Sequence, residues 1–508
     1  MKTKYTLAML AILFMASSCS DYLEVPNKGN LTNDSFWQTE QHVQQGLTAA
    51  YSALASWDGS KWTFFEEVFL GMVIRTDEVS NNASSGYAGK LASFTNTADE
   101  TTASNNWLTR YAGIARANQV IQNTPNVPGL TDELKKAYIG EAKFLRALNY
   151  FYLVCSFEKV PMVTVFETDF EKLIPSQAAT SEIWALIESD LKEAEATVPA
   201  TQAEAWTGRA TKWSAKALLG KAYLFQEKWS DAAAKFKEVV EQGPYSLLPN
   251  YADNFNGVGE NGVESVFEIQ FSGDRNGGVD KRQPINWEIT PAALDGWELF
   301  SASDWILDEM KTDLTAGNAY SDRVYESLFF DDPNSTIRRP TETDPIPYAD
   351  VKGSLTFPQY FKKYNAWTDK QGDYVGTNVS LIRYADVLLM YAEALNENGN
   401  TADAIDAINT VRARANAKPL DNTFTKETLR TQIRHHERPC ELSMEYGIRW
   451  MDLYRWSKGS TATESMKTTL TTHGKVFAGN FVEGKHEISP IPASEISLNK
   501  NLVQNDKW

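Results

Sequence analysis

The chain has 508 residues, 42% of them hydrophobic, and only three cysteines. It is long enough to bury a large apolar core and too poor in thiols for a disulfide framework. Its 66 Asp and Glu against 49 Lys and Arg give a formal net charge of −17, which excludes nucleic acid and anionic membrane surfaces as electrostatic partners and suits a neutral or cationic ligand.

The first predicted element is a secretory signal peptide over residues 1–18. Lys2 and Lys4 precede an apolar run at 7–15, followed by Ala16, Ser17 and Ser18, and the run is too short to span a bilayer. It stops at Cys19. This junction resembles the lipobox of bacterial lipoproteins, with Ala16 where that motif usually has Leu. The resemblance implies cleavage before Cys19 and its lipidation by several acyl chains, which anchor stably where one chain binds only marginally. Residues 19–35 then read as a tether and residues 36–508 as a single helical domain.

Alanine-rich segments of helical periodicity follow, in pairs joined by short turns, the signature of stacked helix-turn-helix repeats. Residues 106–123 and 131–157 make one pair. Residues 181–197 lead into the clearest repeat, within 181–245, where Leu219, Gly220, Tyr223, Ala232, Phe236 and Pro244 fall on the tetratricopeptide spacing. A further pair spans 381–415, with NENGN as its turn, Ala392, Ala404 and Ile408 at equivalent positions, and Thr401 placed to cap the second helix. The prediction is a mainly α fold, a tetratricopeptide-like helix-turn-helix scaffold with a continuous core. Residues 75–105, 250–305 and 313–380 are rich in Gly, Asn, Asp, Pro and Ser and read as long ordered loops and short β-hairpins laid on it.

Fifteen tryptophans stand out. Trp107, Trp184, Trp213 and Trp229 lie in repeat helices and, with Trp450 and Trp456, read as packing residues. Trp57, Trp62, Trp206, Trp287, Trp297, Trp305 and Trp367 lie in loop contexts. Trp287, Trp297 and Trp305 cluster within NWEITPAALDGWELFSASDW, amid Asn, Asp and Glu. Sugar rings present apolar C–H faces to flat aromatic surfaces and hydroxyls to polar neighbours, so this cluster is the candidate ligand platform.

The chemistry of the C-terminal third invites a catalytic reading. Glu437, Glu441 and Glu445 recur at i+4 spacing with Arg438 among them, but such carboxylates pair readily with arginines and fix packing. A glycosidase needs two carboxylates across a cleft, which a sequence does not display. His435 and His436 point about 100° apart on a helix, no H-E-x-x-H spacing exists, and no Walker loop or G-x-S-x-G elbow occurs. No metal, no cofactor and no enzymatic activity is predicted.

The segment IRHHERPCELSMEYGIRWMDLYRW, residues 433–456, resembles the E-R-x-x-E-L…E-G-x-R-W-x-D-L-x-R-W signature of the SusD/RagB family of lipid-anchored surface binding proteins. Glu437, Arg438, Glu441, Leu442, Gly447, Arg449, Trp450, Asp452, Leu453, Arg455 and Trp456 carry the match, with one extra residue between Glu441 and Gly447. The stretches 141–154, 383–397 and 490–506 agree with the same family, as do YLEVPNKGN and SFWQTEQHVQQGLTAAYSAL near the start. The resemblance implies about four tetratricopeptide-like helix pairs. It also implies an outer-membrane position facing the extracellular side, and capture of oligosaccharide or polysaccharide for a SusC-like TonB-dependent transporter. It points to the loop RTDEVSNNASSGYAGK as a second source of ligand contacts, with Arg75, Asp77, Asn81 and Tyr87 as candidates. The same fold binding peptides or glycoprotein fragments, a glycoside hydrolase, and a purely structural partner of the transporter remain open as alternatives.

Overall fold

Apolar residues three and four apart drive the scaffold. In helix α1 (Glu40–Ala55) Val43, Leu47, Ala50 and Leu54 form the buried stripe, and the Thr39 side chain caps its start by accepting the His42 N–H. Seven further helices continue the array: α2 (Thr101–Asn123), α3 (Asp132–Phe157), α4 (Thr180–Thr197), α5 (Lys212–Phe225), α6 (Trp229–Gln242), α7 (Tyr384–Glu397) and α8 (Thr401–Arg414). Each packs on the next, α1 against α2 through to α7 against α8, which yields four helix pairs beginning at α1. The computed structural model describes residues 36–56, 69–81, 86–167, 169, 174–273, 282–339, 344–365 and 374–508. The predicted signal peptide, Cys19 and the tether lie outside the described residues, as do Trp57, Trp62 and Trp367.

The repeat spacing has a steric meaning at Gly220. A Cβ there would stand 2.7 Å from Cε1 of Phe236 on α6, so only hydrogen lets α5 and α6 approach this closely. Phe236 is fully buried, and truncating it to Ala would cost roughly 3–5 kcal/mol. Two local expectations shift. Residues 381–383 are not helical: Val379–Arg383 forms strand β8, because its backbone is claimed by antiparallel pairing with β2 (Ser265–Ile269). Thr401 is the first helical residue rather than the cap; Asn400 holds the cap position, and the Thr401 hydroxyl donates to Asn396 Oδ1 at 3.0 Å.

The loops form four two-stranded antiparallel sheets among the described residues. Only β5 (Thr336–Ile337) and β6 (Ile346–Pro347) resemble a hairpin. β1 (Val79–Asn81) pairs with β3 (Phe300–Ala302), β4 (Leu328–Phe330) with β7 (Gln359–Phe361), and β2 with β8, so the strands staple remote segments instead of folding back locally. One apolar cluster runs from Ala50 to Leu502. A satellite of Leu294, Phe329, Ile337, Tyr348 and Tyr360 lies beneath the loops. No helix among the described residues is long and apolar enough to cross a membrane.

The charged segment at 433–456 lies inside the protein. A π-helical turn (Ile433–Glu437) leads into a short helix (Arg438–Leu442). A turn with positive φ at Met444, Tyr446 and Gly447 follows and accommodates the extra residue before α9 (Ile448–Lys458). Arg383, the last residue of β8, donates to Glu445 at 2.7 Å, Glu264 at 2.9 Å and Glu441 at 2.6 Å. Arg412 donates to Glu437 at 2.7 Å, and Lys363 to Glu445 at 2.9 Å. Burial pushes the Glu441 carboxyl upward, but the charges of Arg414, Arg383 and Arg323 outweigh it and hold the group down to about 2. All three motif glutamates are buried and ion-paired, so they tie the loops to the scaffold.

Candidate ligand-binding site

The β1–β3 pair brings the two predicted halves of the site together. Val79 lies opposite Ala302 and Asn81 opposite Phe300. Ser303 extends the join: its N–H donates to Glu78 O at 2.8 Å and its hydroxyl to Asp77 O at 2.6 Å. The same hydroxyl accepts the Ile306 N–H, capping the helix Asp304–Lys311 that carries Trp305.

Trp287 and Trp297 meet at the surface. Trp287 rides on a single helical turn (Ile285–Ile289), and the chain doubles back through Asp295, whose φ is +67°. Gly296 permits the return, since a Cβ there would stand 2.1 Å from the Thr290 carbonyl oxygen. The Trp297 N–H donates to Trp287 O at 2.9 Å and the Leu299 N–H to Glu288 O at 2.8 Å. The two indoles are thereby set edge to face, with centroids 6.3 Å apart and planes at 72°. Trp297 is 53% exposed and Trp287 half-buried. Beside them Arg339 Nε lies 3.5 Å from Asp295 Oδ2. Behind them the buried Glu298 carboxylate accepts the Tyr360 hydroxyl, the Thr356 hydroxyl at 3.2 Å and the Ala292 N–H at 3.2 Å, so the lip is anchored from below.

Trp305, half-buried like Trp287, belongs to a second cluster around His473, Arg449 and Asp77. Its ring stacks on His473 with centroids 3.9 Å apart and planes at 6°, and the Arg449 guanidinium carbon lies 4.9 Å from its centroid. Asp77 is fully buried, held by Arg449 at 2.6 and 2.9 Å and by His473 Nδ1 at 2.6 Å. Burial raises its carboxyl, but the Arg449 charge and the hydrogen bonds from Arg449 and His473 override this and leave it well below the usual carboxylate range. Arg75 is also buried: it donates to the carbonyls of Gly71 and His486 and lies 4.0 Å from the Trp450 ring centroid. Burial lowers it to about 9 against the opposing charge of Glu487. Both side chains therefore direct their polar atoms into the protein. Asn81 lies in β1 and Tyr87 in the helix Gly86–Ala92, but their side chains lie outside the described residues.

Two further carboxyls sit close in sequence to these groups. Burial pushes Glu288 up to about 8. Glu78 also reaches about 8, raised by burial against the lowering influence of Arg449. Sequence reading singled out neither Asp295 nor Arg339. The Asp-Gly turn at 295–296 is a visible signal, whereas Arg339 reaches the lip only through tertiary folding. Among the described residues no group of three His, Cys, Asp or Glu is arranged to hold a metal ion.

The fold has counterparts among known proteins. Residues 263–508 match the model of the SusD family, and residues 21–224 match a model described as starch-binding associating with outer membrane. A SusD-like protein of Formosa agariphila is 25% identical over 100% of this chain and 99% of its own. The starch-binding protein SusD of Bacteroides thetaiotaomicron is 25% identical over 75% of this chain and 74% of its own. Among solved structures, a SusD superfamily protein from Bacteroides vulgatus superposes with a TM-score of 0.82 at 25% identity, covering 93% of this chain and 100% of that one. A laminarin-binding SusD-like protein gives 0.72 at 25% identity with the same coverage.

Proposed function

The chain belongs to the SusD/RagB family, and on that premise we propose that it is a lipid-anchored, non-catalytic glycan-binding protein on the outer face of the outer membrane. It captures oligosaccharide or polysaccharide at the Trp287–Trp297 lip and passes it to a SusC-like TonB-dependent transporter. The observation that carries this reading is the lip itself: an exposed indole braced edge-on by a second, with a carboxylate and a guanidinium beside it. The indole face takes the apolar side of a sugar ring while Asp295 accepts and Arg339 donates hydrogen bonds to its hydroxyls. No bond in the ligand is broken. Capture raises the local concentration of glycan near the transporter mouth, and the anchor at Cys19 keeps the body there. The net negative charge of the chain suits a neutral or cationic ligand.

Isothermal titration against plant, fungal and host polysaccharides tests the ligand class. A saturable glycan response without product formation is expected; binding to peptides alone would transfer the ligand class to peptides, and turnover lost with one carboxylate would make the protein a hydrolase. Cys19→Ala should leave glycan affinity unchanged while the protein leaves the membrane fraction. Retention in that fraction would remove the anchor from the account.

A further inference from the structure

A second aromatic recess lies on the scaffold, away from the loops. It is a cavity of about 270 Å³ where the end of α3, helix α4, the α5–α6 turn and the end of α9 converge, and its walls include Trp184, Phe225, Trp229 and Tyr454. These four rings are half-buried; Trp184, Phe225 and Trp229 pack against the core on one side and border the cavity on the other. Trp184 is braced edge-on by Phe151, with centroids 5.7 Å apart. Tyr454 is held by its hydroxyl, which donates to Glu158. Neither Trp184 nor Trp229 has a hydrogen-bond partner for its indole N–H among the described residues, and neither nitrogen is sealed from solvent. Both pack against the main core, as their place in the repeat helices suggests, and the rest of each ring borders the recess.

The rim is pre-set. Glu227, at the tip of the α5–α6 turn, has a φ of +56°, a left-handed conformation that a glutamate adopts only when its surroundings impose it. Its carboxylate accepts the Ser460 N–H at 2.8 Å and the Thr461 N–H at 3.4 Å, tying the turn to the segment that follows α9. The charged groups at the cavity are all engaged within the protein. Arg455 pairs with Glu393 at 2.6 Å, Lys458 pairs with Glu158, and Glu227 takes backbone donors. An anionic ligand would find no unpaired cation there, whereas a neutral one finds aromatic faces, two indole donors and the Gln226 side-chain oxygen as acceptor. The volume falls just below the roughly 300–1,000 Å³ of pockets for drug-sized ligands, which suits one sugar ring and not a chain.

We propose that this cavity is a second saccharide site, taking a single neutral sugar ring by stacking on Trp184 and Trp229, and separate from the Trp287–Trp297 lip. The ligand class follows from the cavity's own lining and does not rest on the lip. The test uses the purified protein labelled with ¹⁵N at the tryptophan indoles, with the two resonances assigned through Trp184→Phe and Trp229→Phe. It is titrated with the methyl glycosides of glucose, galactose, mannose and xylose, in the wild type and in a Trp287→Ala, Trp297→Ala double variant. Both resonances should shift saturably with at least one glycoside, with midpoints agreeing within about twofold in the two proteins. Resonances that stay in place with all four glycosides would overturn the proposal. So would shifts that vanish in the double variant, because the cavity would then not be a separate site. Loss of polysaccharide binding in the double variant with the indole shifts retained supports both sites, and failure of the wild type to bind any polysaccharide counts against the lip alone.

Discussion

The segment at 433–456 and the lip at Trp287 and Trp297 are both dense in chemistry-bearing residues, and they use them in opposite ways. In the first, Glu437, Glu441 and Glu445 are buried and each is met by arginine or lysine. In the second, Trp297 stands 53% exposed near the Asp295–Arg339 ion pair. The more conspicuous pattern builds the fold and the less conspicuous one faces solvent. The reason is energetic: a buried carboxylate needs several well-placed donors, which imposes a strict spacing, whereas an exposed indole needs only a loop that holds it.

Breaking the buried side of this contrast should produce the largest effect. Arg383→Met leaves Glu264, Glu441 and Glu445 without their shared partner, and the loss of stability should be about 3–5 kcal/mol, read from urea unfolding. A change within error would mean that the network does not hold the loops to the scaffold. A smaller effect is expected at Glu288, beneath the lip. Its carboxyl, held at about 8 by burial, keeps a proton in the fold that the unfolded chain releases above about 4.5. Folding therefore takes up a proton in that window, and stability falls as pH rises from about 5 to 8. Glu288→Gln should match the wild type at pH 5 and unfold at a higher temperature at pH 8.5; an unchanged pH slope would remove Glu288 as its source. The smallest effect belongs to the rim: Asp295→Ala should weaken glycan binding only about two- to threefold without changing stability, since exposed ion pairs are worth about 0–1 kcal/mol. A complete loss of binding would make Asp295, not the indoles, the principal contact.

Much of the scaffold was legible because its signals are local. Gly220 and Phe236 sit on a repeat spacing, and their contact is set by two neighbouring helices. The array also begins one helix earlier than the clearest repeats indicate, at α1. The strand pairs were not legible: β1 and β3 are separated by more than two hundred residues, and no period announces such a partner. The same limit explains the divided site. The aromatic cluster at 286–305 was visible as rings in a polar loop, yet whether a ring faces solvent depends on remote groups. His473 covers one face of the half-buried Trp305, while Trp297 meets Trp287 edge to face and stands 53% exposed. Arg75 and Asp77 read as loop residues, but Arg449 and His473, nearly four hundred residues away, draw Asp77 inward.

The most direct test is a titration of the Trp287→Ala, Trp297→Ala double variant with the polysaccharide that the wild type binds, with unfolding temperature and helical circular dichroism recorded on the same samples. Two aromatic contacts at roughly 0.5–1.5 kcal/mol each predict an affinity lower by about 5- to 150-fold in a protein of unchanged fold. Wild-type affinity in the double variant would contradict the assignment of the lip as the glycan-binding face.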